Sequence, residues 1–178
     1  MRQRLVPYAL LALVALFLVS GCAQQYVITT ELTEPLGSPA RLNVGPITDQ
    51  LPATVESDAK PSAEDIQKFK SYLEDELTSL DSGMLATRAE DAEYEVTGGI
   101  MQYTKGSGFL RFLIGFGAGS AKVLTELKVV DIATDRVVFA GNFEGSVTSW
   151  AESGDQMFRK VAQNFAKELR KQNERESK

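Results

Sequence analysis

The stretch KVLTELKVVDIATDRVVFAGNFEG, Lys122 to Gly145, decides the fold. Val123, Thr125, Leu127 and Val129 alternate with Lys122, Leu124, Glu126 and Lys128. Successive side chains of a strand point to opposite faces, so this alternation marks a strand with one buried face. The residues Asp131 to Arg136 interrupt it. Val137, Phe139, Gly141, Phe143 and Gly145 then take the alternation up again. Two such runs about a polar turn predict a β-hairpin. The aspartates suit the turn, because Asp tolerates left-handed backbone better than most residues.

Working outward, Tyr94 to Tyr103 alternates with Tyr94, Val96, Gly98 and Ile100 on one face. The Gly98-Gly99 pair predicts a bulge or a close backbone approach. Leu42 to Ile47 reads as a first strand, with Pro46 placing it at an edge or a turn, and Met84 to Thr87 as a short one. Ser62 is a helix N-cap with Asp65 three residues on. Ile66, Phe69, Leu73, Leu77 and Leu80 follow at spacings of three and four. Ser153 to Gln156 opens a second helix, whose apolar stripe is Phe158, Val161, Ala162, Phe165 and Leu169. Strand, helix, several antiparallel strands and helix together predict an α+β domain over residues 41–172. It is a two-layer sandwich with a mainly antiparallel sheet and two amphipathic helices on one face. The polar residues 173–178 read as a fraying tail.

The N-terminus stands apart from this fold. Arg2 and Arg4 precede an apolar run, Leu5 to Val19, of signal-peptide length. Val19-Ser20-Gly21-Cys22 follows and resembles the lipobox of bacterial lipoproteins. The resemblance implies a signal peptide over residues 1–21, its removal, and lipidation of Cys22. Cys22 is the sole cysteine of the 178 residues, and lipidation would account for its lack of a partner. Residues 22–40 then read as a lipidated cysteine and a tether, with a short strand at Tyr26 to Ile28. Fully extended, such a tether reaches ~60 Å. Ala23 after the cysteine is compatible with the outer membrane. The expected location is the periplasm-facing cell envelope, anchored to the membrane through lipid.

Composition excludes several activities. The formal charge is −5. Removing Arg2 and Arg4 leaves 17 basic against 24 acidic residues, a charge of −7. A body this acidic argues against nucleic acid and against electrostatic binding of anionic lipid. There is no histidine, so the commonest nucleophile–base pairs and Cys/His metal sites are absent. Glu90, Asp91, Glu93 and Glu95 read as a solvated acidic turn rather than a cation or catalytic site. No cofactor or metal site is expected, and the chain is read as a non-enzyme.

The stretch GSGFLRFLIGFGAGSAK, Gly106 to Lys122, holds five glycines and, before its closing lysine, only Arg111 as a charge. It fails the patterns of phosphate loops, and it leads into a strand rather than a helix. It is too short to span a bilayer as one helix. Phe109, Phe112 and Phe116 would share a face with Leu113 if it were helical. Gly115, Gly117 and Gly119 serve backbone geometry. Three readings stay open: a core-capping connection, a surface for a protein partner anchored by Arg111, and a lipid contact. The stretch GSGFLRFLIGFGAGSAKVLTELKVVDIATDRVV resembles an uncharacterised bacterial lipoprotein family, domain of unknown function 4410. The resemblance covers residues 90–170, with Asp135 standing where that family usually has glycine. More distantly, the element order is similar to the periplasmic domain of the curli secretion channel lipoprotein and to lipoprotein activators of peptidoglycan synthases. These resemblances imply a fold and no activity. The function expected is an adaptor or assembly factor for an envelope protein; the alternative is a small-ligand or lipid-binding periplasmic module.

Overall fold

The computed structural model describes residues 26–37, 40–56, 59–80, 89–106, 120–148 and 153–178. The strands are β1 (Tyr26–Thr30), β2 (Leu42–Asp49), β3 (Tyr94–Thr104), β4 (Ala121–Asp131) and β5 (Arg136–Val147). The helices are α1 (Ala63–Leu80) and α2 (Gln156–Glu176), with a single 3-10 turn at Ala89–Asp91. The fold class is α+β. The sheet order is β1-β5-β4-β3-β2. It is mixed and open: β2 joins β3 in parallel, whereas β1–β5, β5–β4 and β4–β3 are antiparallel. The expected short strand at 84–87 lies outside the described residues.

The hairpin forms where the alternation places it. Asp131 pairs with Arg136 across the turn, and the Thr134 amide donates to the Asp131 carboxylate at 2.9 Å. Asp135 takes a left-handed backbone, φ 54°. That geometry costs a side chain least when the residue is Gly, Asn or Asp. The position therefore suits the glycine of the resembling family, and Asp135 meets the same backbone demand. Register shifts between Val129 and Val130, so Phe139 turns inward while Val137 stays 41% exposed.

The inward residues Val96, Ile100, Val123, Leu127, Phe139 and Phe143 are fully buried, as are Phe69, Leu73 and Leu77 of α1 and Phe158, Val161, Phe165 and Leu169 of α2. Phe143 and Phe165 meet edge to face at 5.4 Å, which ties β5 to α2. Phe158 stacks between Phe69 of α1 at 5.3 Å and Tyr103 of β3 at 6.1 Å. Aromatic pairs in such geometries contribute ~1 kcal/mol each beyond the area they bury. Gly145 is required by close approach: a Cβ there would fall on the Met157 carbonyl oxygen at the start of α2. Gly98 is required likewise, since a Cβ would strike the Glu126 backbone. The glycine pair is thus a close approach; the bulge of β3 lies two residues on, between Ile100 and Gln102. Pro46 sits on the outer strand, as expected of an edge, in the irregularity between Val44 and Ile47.

Two boundaries differ from expectation. Residues 26–37 are part of the fold where a tether is expected. β1 forms one edge of the sheet, and Leu32 and Leu36 are buried in the core. Their apolar spacing is too irregular to register as a stripe, because an irregular arm contributes side chains one by one. The tail 173–178 also departs from expectation, since α2 continues to Glu176 and Asn173 accepts from the Leu36 amide at 2.7 Å.

Candidate functional site

The residues singled out from sequence, Cys22, Phe109, Arg111, Phe112, Gly115, Phe116, Gly117 and Gly119, lie outside the described residues. Their flanks are described. β3 ends at Thr104, Gly106 turns the chain away with φ 69°, and β4 begins at Ala121. The segment is therefore the β3–β4 connection.

A polar network holds the arm that follows Cys22 in sequence. Glu168 and Gln172 of α2 are 5% and 2% exposed. The Tyr26 hydroxyl donates to Glu168 Oε2 at 2.9 Å, and Gln172 Nε2 donates to Glu168 Oε1 at 3.1 Å. Lys171 Nζ reaches the same carboxylate at 3.2 Å. Gln172 Oε1 in turn accepts from the Leu32 amide at 2.9 Å. Burial raises the Glu168 carboxyl, but hydrogen bonds from Gln172, Tyr26 and Lys171 outweigh it, so its pKa lies below the ordinary value. The same bond raises the Tyr26 phenol, with burial adding to it. A buried carboxylate persists only when its lone pairs are occupied. The Tyr26 ring also stacks on Phe143 at 5.7 Å.

Sequence reasoning missed this network, although a signal exists. Phe158, Val161, Phe165, Glu168 and Gln172 run at spacings of three and four. Polar residues in register with an apolar stripe must be buried against something polar. The partner, an arm about 140 residues away in sequence, leaves no local trace.

A second cluster gathers at the starts of both helices. The Ser62 hydroxyl accepts from the Asp65 amide at 3.1 Å, and Asp65 accepts from the Ser62 amide at 3.0 Å. This is a capping box with Asp in place of Glu. Tyr103 OH donates to Asp65 at 3.2 Å, and Tyr72 OH donates to Asp155 at 2.6 Å. Arg159 lies over the Tyr72 ring at 4.8 Å. Burial, with the nearby Asp65 charge and hydrogen bond, pushes the Tyr103 phenol up to about 12. α2 differs from expectation: its N-cap is Asp155, which makes no side-chain cap bond. The Gln156 amide instead bonds to the Ser153 carbonyl at 3.1 Å. Between the helix starts lies an open cleft of about 300 Å³ lined by Asp65, Lys68, Tyr103, Lys105 and Asp155. A larger one of about 510 Å³ runs between β2 and α1 past Val44, Ile66, Lys70 and Glu95.

The acidic turn is exposed at Glu90 and Asp91. Glu93 pairs with Arg41 at 3.1 Å, and the Glu95 carboxyl lies against Gly45. Among the described residues no three Asp, Glu, Cys or His side chains gather as a metal site, and no helix is long and apolar enough to cross a membrane.

The fold is shared with solved structures. A point-substituted PelC dodecamer from Paraburkholderia phytofirmans superposes with a TM-score of 0.52 at 11% identity, over 81% of this chain and 95% of that one. Another PelC dodecamer from the same organism gives 0.50 at 15% identity, over 78% and 96%. The Xanthomonas campestris protein XCC0632 gives 0.47 at 16% identity, over 85% and 97%. No curated protein matches the sequence. The family model of DUF4410, a domain of unknown function, matches residues 38–158, from before β2 into the first turn of α2. With two thirds of its length matched, the chain belongs to the DUF4410 family.

Proposed function

We propose that this chain is a non-enzymatic, periplasm-facing lipoprotein of the bacterial cell envelope, anchored through Cys22, most simply in the outer membrane. It acts as an adaptor or assembly factor. In this reading both helices cover one face of the sheet and its edges stay free for a protein partner. The supporting observation is that, among the described residues, the five-stranded sheet is open and ends in β1 and β2. β1 presents Val27, 64% exposed, at its edge. An unpaired strand edge offers a row of amides and carbonyls to another chain. The two PelC structures of the same fold are dodecamers, so a second copy of this chain is the first partner to test. Arg111, Phe109, Phe112 and Phe116 of the β3–β4 connection are a further surface for the same role.

A photo-crosslinking amino acid at Val27, Phe112 or Phe116 tests the reading in cells. Crosslinked protein above the yield from exposed Asp75 of α1 supports it. Yields no higher than at Asp75 from all three positions would sink the adaptor role. The cleft between β2 and α1 favours the second reading, a small-ligand module. A Gln67→Trp change narrows that cleft from an exposed position of α1, and full complementation of a deletion strain by this variant would count against ligand binding there.

A further inference from the structure

The described residues expose three large aliphatic side chains, Val27, Ile132 and Val137, at 64%, 50% and 41%. Strand register puts all three on one face of the sheet. Phe139 and Phe143 line the opposite face, where they meet Phe165 of α2. Val27 follows Tyr26, whose ring stacks on Phe143, so it points away from α2. Val137 pairs with Val130, one step from the buried Val129. The Ile132 amide donates to the Glu93 carbonyl at 3.0 Å and continues the β4 ladder by one residue. Ile132 therefore follows Val130 on the same face. Single exposed aliphatics scattered over a surface are ordinary. These share one face, and the described parts of both helices expose none.

At the hairpin end they form a patch. Val130 and Val137 are directly opposed, with Cβ atoms ~5 Å apart, and Ile132 lies ~7 Å further along. The charges about the patch are one-sided. Arg41 is taken up by Glu93 at 3.1 Å, and Lys128 by Glu126 at 2.8 Å. Glu95 lies opposite Val130 in the register, and Asp135 stands in the turn. Neither has an ion-pair partner among the described residues. Arg136 alternates to the other face, where it borders a cleft with Leu32, Leu36 and Tyr94. The patch is an apolar centre beside two carboxylates that no cation of this chain neutralises.

We propose that Val130, Ile132 and Val137 are the docking surface for a segment of another protein that presents aliphatic side chains flanked by lysine or arginine. The proposal rests on the adaptor reading and gives it a face and a partner chemistry. Covering the patch removes apolar surface from water. A cation set beside Glu95 or Asp135 supplies the complement that this chain lacks and selects the partner. On this face a second copy fits poorly, because it would bring the same carboxylates against the first pair. An anionic lipid surface fits poorly for the same reason, and the formal charge of −5 adds to both repulsions.

The test uses the full chain in cells. A photo-crosslinking amino acid replaces Val137 or Ile132, and mass spectrometry of the crosslinked peptide identifies the captured segment. Capture above the yield from exposed Asp75 of α1 is expected, by a segment of a different protein rich in aliphatic residues and in Lys or Arg. Glu95→Gln combined with Asp135→Asn should lower that yield about threefold, with protease resistance equal to that of the parent. Asn tolerates the left-handed backbone of the turn as Asp does. Should the double variant not accumulate, Asp135→Asn alone must show part of the loss. An unchanged yield would overturn the charge complementarity. A captured segment that is acidic, or that belongs to this chain, would overturn the partner named. Yields at Val137 and Ile132 no higher than at Asp75 would overturn the surface. Capture at Val27, Phe112 or Phe116 would then leave the adaptor reading standing, and capture at none of the five would remove both.

Discussion

The two helices look alike in sequence and do different work. α1 carries its polar residues to solvent; Lys68 and Glu64, for example, form an exposed i,i+4 pair at 3.1 Å. α2 has an equally clear apolar stripe, yet it also buries Glu168 and Gln172. The difference lies in what covers each helix. α1 packs on α2 and on the edge strand β2, and one stripe suffices. α2 lies between α1, β5 and the N-terminal arm. Its extra covered side meets backbone amides and a tyrosine hydroxyl, so the buried residues there are polar.

The largest effect should come from the residue the two helices share. Phe158→Ala removes the ring between Phe69 and Tyr103 and should cost ~3–5 kcal/mol in denaturant unfolding. A loss under ~1 kcal/mol would mean that the helices do not depend on each other. Next is the arm. Gln172→Leu leaves the Leu32 amide and one Glu168 oxygen without this partner, and should cost ~1–3 kcal/mol. Hydrogen exchange should quicken at Leu32 but not across α1. Uniform quickening would show that the arm and α1 open as one unit.

Acid provides a finer separation. Glu168 titrates below the ordinary carboxylate value when folded. Its contribution is therefore complete above the unfolded value of about 4.3 and is lost as pH falls through the folded pKa. Glu168→Gln should weaken the fold near neutrality and remove part of this acid sensitivity. A variant as acid-sensitive as the parent would place the titration elsewhere. Asp65 is also lowered, because its bonds from Ser62 and Tyr103 outweigh burial, so the acid slope should not vanish. The smallest effect is expected at the α1 cap. Asp65→Ala leaves the Ser62 hydroxyl in place and should cost ~1 kcal/mol by thermal unfolding. A larger loss would make the Tyr103 bond, rather than the cap, the main contribution.

Much of the fold is legible because its rules are local. The Lys122–Gly145 hairpin follows from alternation, α1 from a cap and a stripe at spacings of three and four, and Asp135 from the backbone demand of its turn. Each depends on residues within a few positions of one another. The candidate site is less legible. Cys22 and the phenylalanines are conspicuous in sequence but lie outside the described residues; what the structure adds is the anchoring of the arm that follows Cys22 in sequence.

The sequence by itself determined the element types, the apolar faces and the lipobox-like start. Only the tertiary structure decided that β2 lies parallel to β3, that β1 closes the far edge on β5, and that Glu168 and Gln172 are buried. The reason is physical. Periodicity and caps arise from neighbours along the chain, whereas strand partners and buried polar groups are chosen by segments some 50 to 140 residues apart. Their matching surfaces exist only once the chain has folded. Residues 26–37 join the fold for the same reason: the arm has no stripe of its own and becomes structure only against β5 and α2.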